Sequence, residues 1–387
     1  MQFALRVPEI EDWYHRELFR LYETPPTRAA GWSVVMGCPV WGHEFVREFV
    51  NWCIPSIFEP ESAKALAGCC RLVVFAGAAD RLPLLRSLRV LEGTTDVQVI
   101  EIPDALIEQT RVIPQNKLFL LAAAHKLVLQ IARRCGAGCH PLMPDHFHGV
   151  GYFARVRDFS ARHDAIAQTG ISAAREPAQE ILEAHRSADG SFSISPRALG
   201  DVAMRCLHPH HRANIMAPDS VPENMPRTQL MLWRTKDKLV AHSCRPNAVW
   251  LSPQLVAAQP IDFERPATLD CEMPFLAPRG AYYTKADDGM AAVEFTSIED
   301  KEVEPGRQSF GEYAFKALNE ARYSNRYIDL IRERTELPLS DTNEAVMTEE
   351  EIGRDVDTVV ETLRQHLPVV AVNRMQRLVA APESFGL

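Results

Sequence analysis

Asp145-His146-Phe147-His148 places a carboxylate and two imidazoles within four positions. The short apolar run His140-Pro-Leu-Met-Pro144 precedes them, and Gly149 and Gly151 follow. A carboxylate and imidazoles so spaced, on a loop after a buried strand, can converge on one divalent ion. Beside a diphosphate that ion would be Mg2+ or Mn2+, hard cations that take few protein oxygens and fill their shell with phosphate. In the competing reading Asp145 caps a helix starting near Gly149, and the histidines are merely nearby. Asp145 is the preferred ligand, His148 the second, and His146 a bystander.

Other groups could do related chemistry. His242 ends a strand; were that strand beside the one leading to Asp145, the two side chains could share the metal. His208-Pro-His-His211 could bind metal, but imidazolium at a helix C-terminus explains it better. Asp270 and Glu272 offer a general base for an acceptor hydroxyl, or are surface acids on a loop. Cys135-x3-Cys139-His140 resembles half a zinc site, yet no second cysteine pair accompanies it, so these residues read as structural. The chain has no GxSxG, P-loop, HExxH or kinase signature.

The elements that must carry these groups alternate between strand and helix. Glu9 to Tyr22 has helical spacing and belongs to a peripheral N-terminal segment. Trp32 to Gly42 reads as a buried strand and turn, His43 to Phe58 as an amphipathic helix. Such a unit opens nucleotide-binding folds, so the loop Cys38-Pro39-Val40-Trp41-Gly42 would lie against a ligand; a plain turn is the alternative. Arg71 to Asp80 is a second strand, followed by a helix over Leu82 to Arg89. Asp80 either caps that helix or holds a ribose or base. Asp96 to Ile102 is an alternating, edge-like strand. Asn116 to Arg134 is the clearest helix, with His125, read as a core residue, and Lys126 at its middle. Strands near residues 34, 73, 99 and 142, separated by helices, predict a parallel α/β sheet. Beyond it, the spacing predicts helices over Tyr152–Ser160, Ala174–His185 and Pro196–Cys206, and a strand over Asp164–Gly170. Ala213 to Arg227 is a proline-rich loop suited to a lid. Strands over Gln229–Arg234, Lys238–Ser243 and Asn247–Ser252 are expected to extend the first sheet. A late strand starts at Glu294, and helices cover Phe310–Thr335 and Thr348–His366.

Composition narrows the function. Hydrophobic residues make up 46% and charged residues 24% of the 387, the balance of a globular protein. A net charge of −9 argues against nucleic-acid or anionic-membrane binding, which need concentrated positive charge. The nine cysteines are odd in number, which suits free thiols in a reducing cytoplasm. Met1 to Asp12 carries acids and a proline and does not read as a signal peptide. No apolar run approaches the ~18–20 residues of a membrane span. A cytoplasmic protein is expected.

The order of these elements resembles bacterial glycosyltransferases of the GT-A type over residues 30–300. The resembling parts are Val34–Gly42, the strand ending in Asp80, and the helix 116–134 feeding Met143-Pro-Asp-His-Phe-His148. The later Leu230-Met-Leu-Trp233, Ala241-His242 and Thr268-Leu-Asp270 complete the series. The resemblance implies a GT-A-like fold: a mostly parallel nucleotide-binding sheet flanked by helices, an α+β second half and C-terminal helices. Residues 1–30 would be peripheral and 31–305 catalytic, divided into a nucleotide half (31–170) and an acceptor half (171–305). Residues 306–387 would be helical. It implies transfer of a sugar from a nucleotide-sugar to a hydroxyl of a glycan or small-molecule acceptor. Cys38 to Gly42, Asp80 and Lys126 would hold the nucleotide, and Asp145 with His148 and His242 would face the diphosphate and a divalent cation. Asp270 or Glu272 would be the acceptor base. The family's Asp-x-Asp motif falls on Asp145-His146-Phe147, so its second Asp is absent. That departure keeps open a non-catalytic sugar- or partner-binding protein on the same scaffold; a metal-dependent hydrolase is a third reading.

Overall fold

The computed structural model describes residues 7–23, 33–113, 115–213, 215–216, 221–222, 230–243, 246–258, 281–298, 307–308, 325–340 and 347–380. Helix α1 (Pro8–Glu23) leads to strand β1 (Val34–Pro39), whose six residues are all buried. Such an unbroken apolar run marks a strand covered on both faces. Helix α2 (His43–Glu48) continues through a π-helical turn (Phe49–Cys53) into α3 (Ile54–Ile57), and α4 (Pro60–Leu66) follows. Next come β2 (Cys70–Gly77), α5 (Ala78–Ser87), β3 (Asp96–Ile102), α6 (Asp104–Val112) and α7 (Gln115–Cys135). Helix α7 is buried without a break from Ala122 to Ala132, so this stretch is covered on all sides. Gly136, at φ 63°, ends it in the left-handed conformation that glycine adopts without strain.

The chain then forms β4 (Gly138–Pro141), β5 (His146–His148), α8 (Tyr152–Ser160), β6 (Ala165–Gln168), β7 (Ser172–Ala174), α9 (Arg175–Glu183), α10 (Pro196–Arg205) and α11 (Pro209–Ala213). After these come β8 (Val221–Pro222), β9 (Leu230–Arg234), β10 (Lys238–Ser243), β11 (Asn247–Leu251) and α12 (Pro253–Ala258). The described chain closes with β12 (Tyr282–Tyr283), β13 (Ala292–Thr296), β14 (Arg307–Gln308), α13 (Asn325–Leu330), β15 (Arg334–Pro338) and α14 (Glu349–Ala380).

Seven strands form the main sheet in the order β12-β6-β11-β4-β1-β2-β3. The run β4-β1-β2-β3 is parallel throughout, while β11 enters antiparallel between β6 and β4. The expected mixed α/β fold, with a largely parallel central sheet flanked by helices, is what the chain adopts. Helices α1, α6, α7 and α12 pack on one face. The α2–α3 helix, α4, α5 and α8 pack on the other. A β-carbon on Gly37 would overlap Val128, so α7 sits directly on the backbone of β1.

Two small sheets flank this core. One is β5-β13-β7, the other β15-β10-β9; β8 and β14 pair separately. The strands at residues 230 and 238 therefore do not extend the main sheet; of the three expected there, only β11 joins it. The segment expected as one helix over Phe310–Thr335 is, in its described part, the short α13 followed by β15, which pairs antiparallel with β10. Residues His146–His148, expected on a loop, are a strand.

Candidate functional site

The chain fills the parallel sheet outward from β1 to β3 and then returns to place β4 on the other flank of β1. Where the strand order reverses, the loops after β1 and β4 leave from the carboxyl ends of the strands, the usual ligand position in open α/β sheets. The amide of Leu142 donates to Gly37 O at 2.8 Å and carries the β1–β4 pairing to this edge. Beyond it the two departing segments are Val40–Gly42 and Met143–Asp145.

On the β1 side, Gly42 adopts φ 88°, and its amide donates to Asp80 Oδ2 at 3.3 Å. The loop and Asp80 are thus brought together, as parts of one ligand surface would have to be. Asp80 lies in the first turn of α5, which starts at Ala78 and not at Leu82. Cys38, Pro39 and Val40, expected against the ligand, are buried in the core, and only Trp41 and Gly42 reach the surface. Lys126 is also buried, on α7, and does not line the cavity at Asp145.

On the β4 side, Asp145 Oδ1 is closed off from solvent without a hydrogen-bond partner. Loss of hydration raises the carboxyl to about 6, against its own backbone hydrogen bond and the nearby charge of Lys117. The Lys117 ammonium lies 5.0 Å from the centre of the Phe45 ring on α2. Glu48, on the same helix and fully buried, is likewise raised to about 6, by burial first and with a contribution from Asp145. Its Oε2 accepts from Gln179 Nε2 at 2.5 Å, and its Oε1 lies 3.7 Å from Arg175 Nε; Arg175 also pairs with Glu44. Cys38 and Cys53, both buried, have thiols pushed up by burial and by the Asp145 charge. They are inert apolar fillers beneath the carboxylate.

His148 lies close to Asp145 but turns inward. Its Nδ1 is 3.5 Å from Ser56 Oγ, its ring packs edge-on to Tyr152, and burial holds it neutral. His242 is elsewhere: it belongs to β10, bonds Ile331 O through Nδ1 at 2.7 Å and packs against Trp233. The conjectured Asp145–His242 metal pair is not assembled, because β10 pairs with β9 and β15 and never runs beside β4. Asp270 and Glu272 lie outside the described residues. His208, His210 and His211 serve the local structure: His211 Nδ1 accepts from Ser172 N at 2.9 Å, and His208 Nε2 contacts Ser297 O.

Among the described residues no three imidazole, thiol or carboxylate groups converge to hold an ion. Asp145 supplies one hard oxygen, which fits Mg2+ or Mn2+ only as a bridge to oxygens of a bound phosphate. Sequence reasoning passed over Lys117, Glu48 and Glu294. Glu294 is brought opposite His146 by the β13–β5 pairing and helps line the cavity at Asp145. His125, His140 and His146, read as core, structural or bystander residues, also line that cavity.

No family model and no curated protein matches the chain. Among solved structures it is similar to mouse xyloside xylosyltransferase 1 in the apo form, at 14% identity and a TM-score of 0.24, over 41% of this chain and 56% of that one. It is similar to the mannosyltransferase PcManGT of Pyrobaculum calidifontis in complex with GDP-Man and Mn2+, at 12% identity and a TM-score of 0.36, over 98% and 84%. A third likeness is to the S. cerevisiae mannosyltransferase Ktr4p in complex with GDP, at 9% and 0.23, over 46% and 56%. The chain spans just over half the length of the first and third of these enzymes. All three are glycosyltransferases, and likenesses this distant assign no residue or substrate to this chain.

Proposed function

We propose that the chain is a glycosyltransferase-like enzyme whose donor is a nucleotide-sugar. The observation that supports this most is Asp145, whose buried, partnerless carboxylate oxygen follows β4 and feels the charge of Lys117. On the neighbouring strand β1, the departing loop is held to Asp80 through Gly42. Trp41 and Gly42, with Asp80, receive the nucleoside. Lys117 faces the diphosphate and stabilises the charge that grows on the departing nucleoside diphosphate. Asp145 meets the same diphosphate, through Mg2+ or Mn2+ where one is bound. Asp270 or Glu272 remains the proposed base for the acceptor hydroxyl. Calorimetry with UDP-, GDP- and CMP-sugars, each with and without Mn2+, is the test. Saturable binding of one donor, lost in Asp145→Ala, is expected; no binding of any nucleotide overturns the reading.

A further inference from the structure

Beside Asp145 the structure has a half-open cavity of about 130 Å3. Its walls come from α7, β4, β5, α8, β6, β11 and β13, so it is built by the fold and not by one loop. At roughly 30 Å3 per water it has room for about four waters. That is well below the ~300–1,000 Å3 of sites for drug-sized ligands. Its volume suits one small ring.

The hydrogen-bonding character of the wall follows from fixed tautomers. His140 Nδ1 is bonded to the carbonyl of Val249, and a carbonyl only accepts, so Nδ1 carries the proton. Ser56 sends its hydroxyl proton to Cys53 O at 2.8 Å, so its oxygen can only accept from His148 Nδ1. Both rings are buried, and burial favours the neutral imidazole. Each ring therefore has Nε2 left as an acceptor. Asp145 lines the same wall as a further acceptor, and the amide of Asn247 can act either way. The Tyr152 ring and Met143 add apolar surface. Acceptors around a small space call for a ligand dense in donors, and hydroxyl groups supply them at no charge. The carboxylates of Asp145 and Glu294 in the same wall disfavour an anionic ring.

We propose that this cavity is a subsite for one neutral, hydroxyl-rich ring of monosaccharide size. Identifying that ring as the transferred sugar rests on the transferase reading; the polyol site itself does not. Gly170 walls the cavity, and a β-carbon there would come within 3.3 Å of Asn247 Nδ2 and 3.5 Å of Glu294 Oε2. Gly170→Val would thus fill the space without touching the Gly42–Asp80 loop or Lys117.

The test is saturation-transfer NMR and calorimetry on the full chain. The probes are free aldohexoses and aldopentoses, the matching uronic acids and disaccharides, and separately UDP and GDP. One neutral monosaccharide is expected to bind at least ~10-fold better than its uronic acid or disaccharide. Gly170→Val should abolish that binding and Asn247→Leu weaken it by about tenfold. Nucleoside diphosphate binding should stay unchanged in both. Nucleoside diphosphate binding without any monosaccharide binding overturns the cavity assignment alone, as does monosaccharide binding unchanged in both variants. Monosaccharide binding without nucleotide binding overturns the transferase reading and upholds the cavity.

Discussion

Burial lifts Asp145 to about 6, from an ordinary carboxyl value of 3.8, so the folded chain holds this proton more tightly than the unfolded one. The acid form favours the fold fully below 3.8, and that contribution is lost as pH rises through about 6. Above 6 a desolvated negative charge remains, opposed only in part by Lys117. Asp145→Asn removes the charge and keeps the shape. The variant should be more stable than the parent at pH 8 by about 3 kcal/mol, with the gain vanishing as pH falls toward 4. Urea midpoints at pH 8, 6 and 4.5 measure this, and the same variant should lose nucleotide binding. Opposite signs for stability and binding are the mark of a residue kept for function. Lys117→Ala should weaken nucleoside diphosphate binding about tenfold while leaving nucleoside binding alone, with Lys117→Arg close to the parent. Asp145 was legible in the sequence because an acid after a short apolar run is locally distinctive. Lys117 was not, because its partners Phe45 and Asp145 approach it only through folding. His140 and His146 were in view, but nothing in their spacing tells a buried ring from one that borders a cavity.

At the scale of elements, β1, β2 and α7 were readable because short β-branched apolar runs and a long apolar helical segment stand out in the sequence. The partners of β9 and β10 were not. A short apolar strand looks the same in any sheet, and β15, which settles the matter, is a polar strand far along the chain. The placement of β11 hangs on Gly138. A β-carbon there would overlap the Trp250 ring, so β4 and β11 can pair only around a missing side chain. Gly138→Ala should cost ~1–3 kcal/mol, the usual penalty of overpacking. It should also weaken ligand binding, since Asn247 rides on the displaced strand. Adding Trp250→Leu should recover part of the stability, and denaturant unfolding of the four chains in that cycle measures the coupling.

At the scale of the molecule, α14 closes a second core. Ile352, Val356, Val359, Val360 and Leu363 cover Met231, Trp233 and Val240, while Lys238 and Arg334 reach Glu349 at 2.6 and 2.5 Å. The half-exposed ion pairs add little, and the apolar face carries the attachment. A chain ended after Ser340 should bind a hydrophobic dye and lose its single cooperative unfolding transition. Among the described residues no helix is long and apolar enough to cross a membrane.

The pairing of early strands with late ones also imposes a schedule on synthesis. One flank of β4 has no partner until Asn247–Leu251 has left the ribosome, and the turn leading into Gly170 is pinned only when Thr335 Oγ1 accepts from Thr169 N at 2.8 Å. At ~5–20 residues per second, an apolar strand edge stays bare for several seconds on every nascent chain. Slow translation between β4 and β11 should therefore favour aggregation, while a pause after α14 should do no harm.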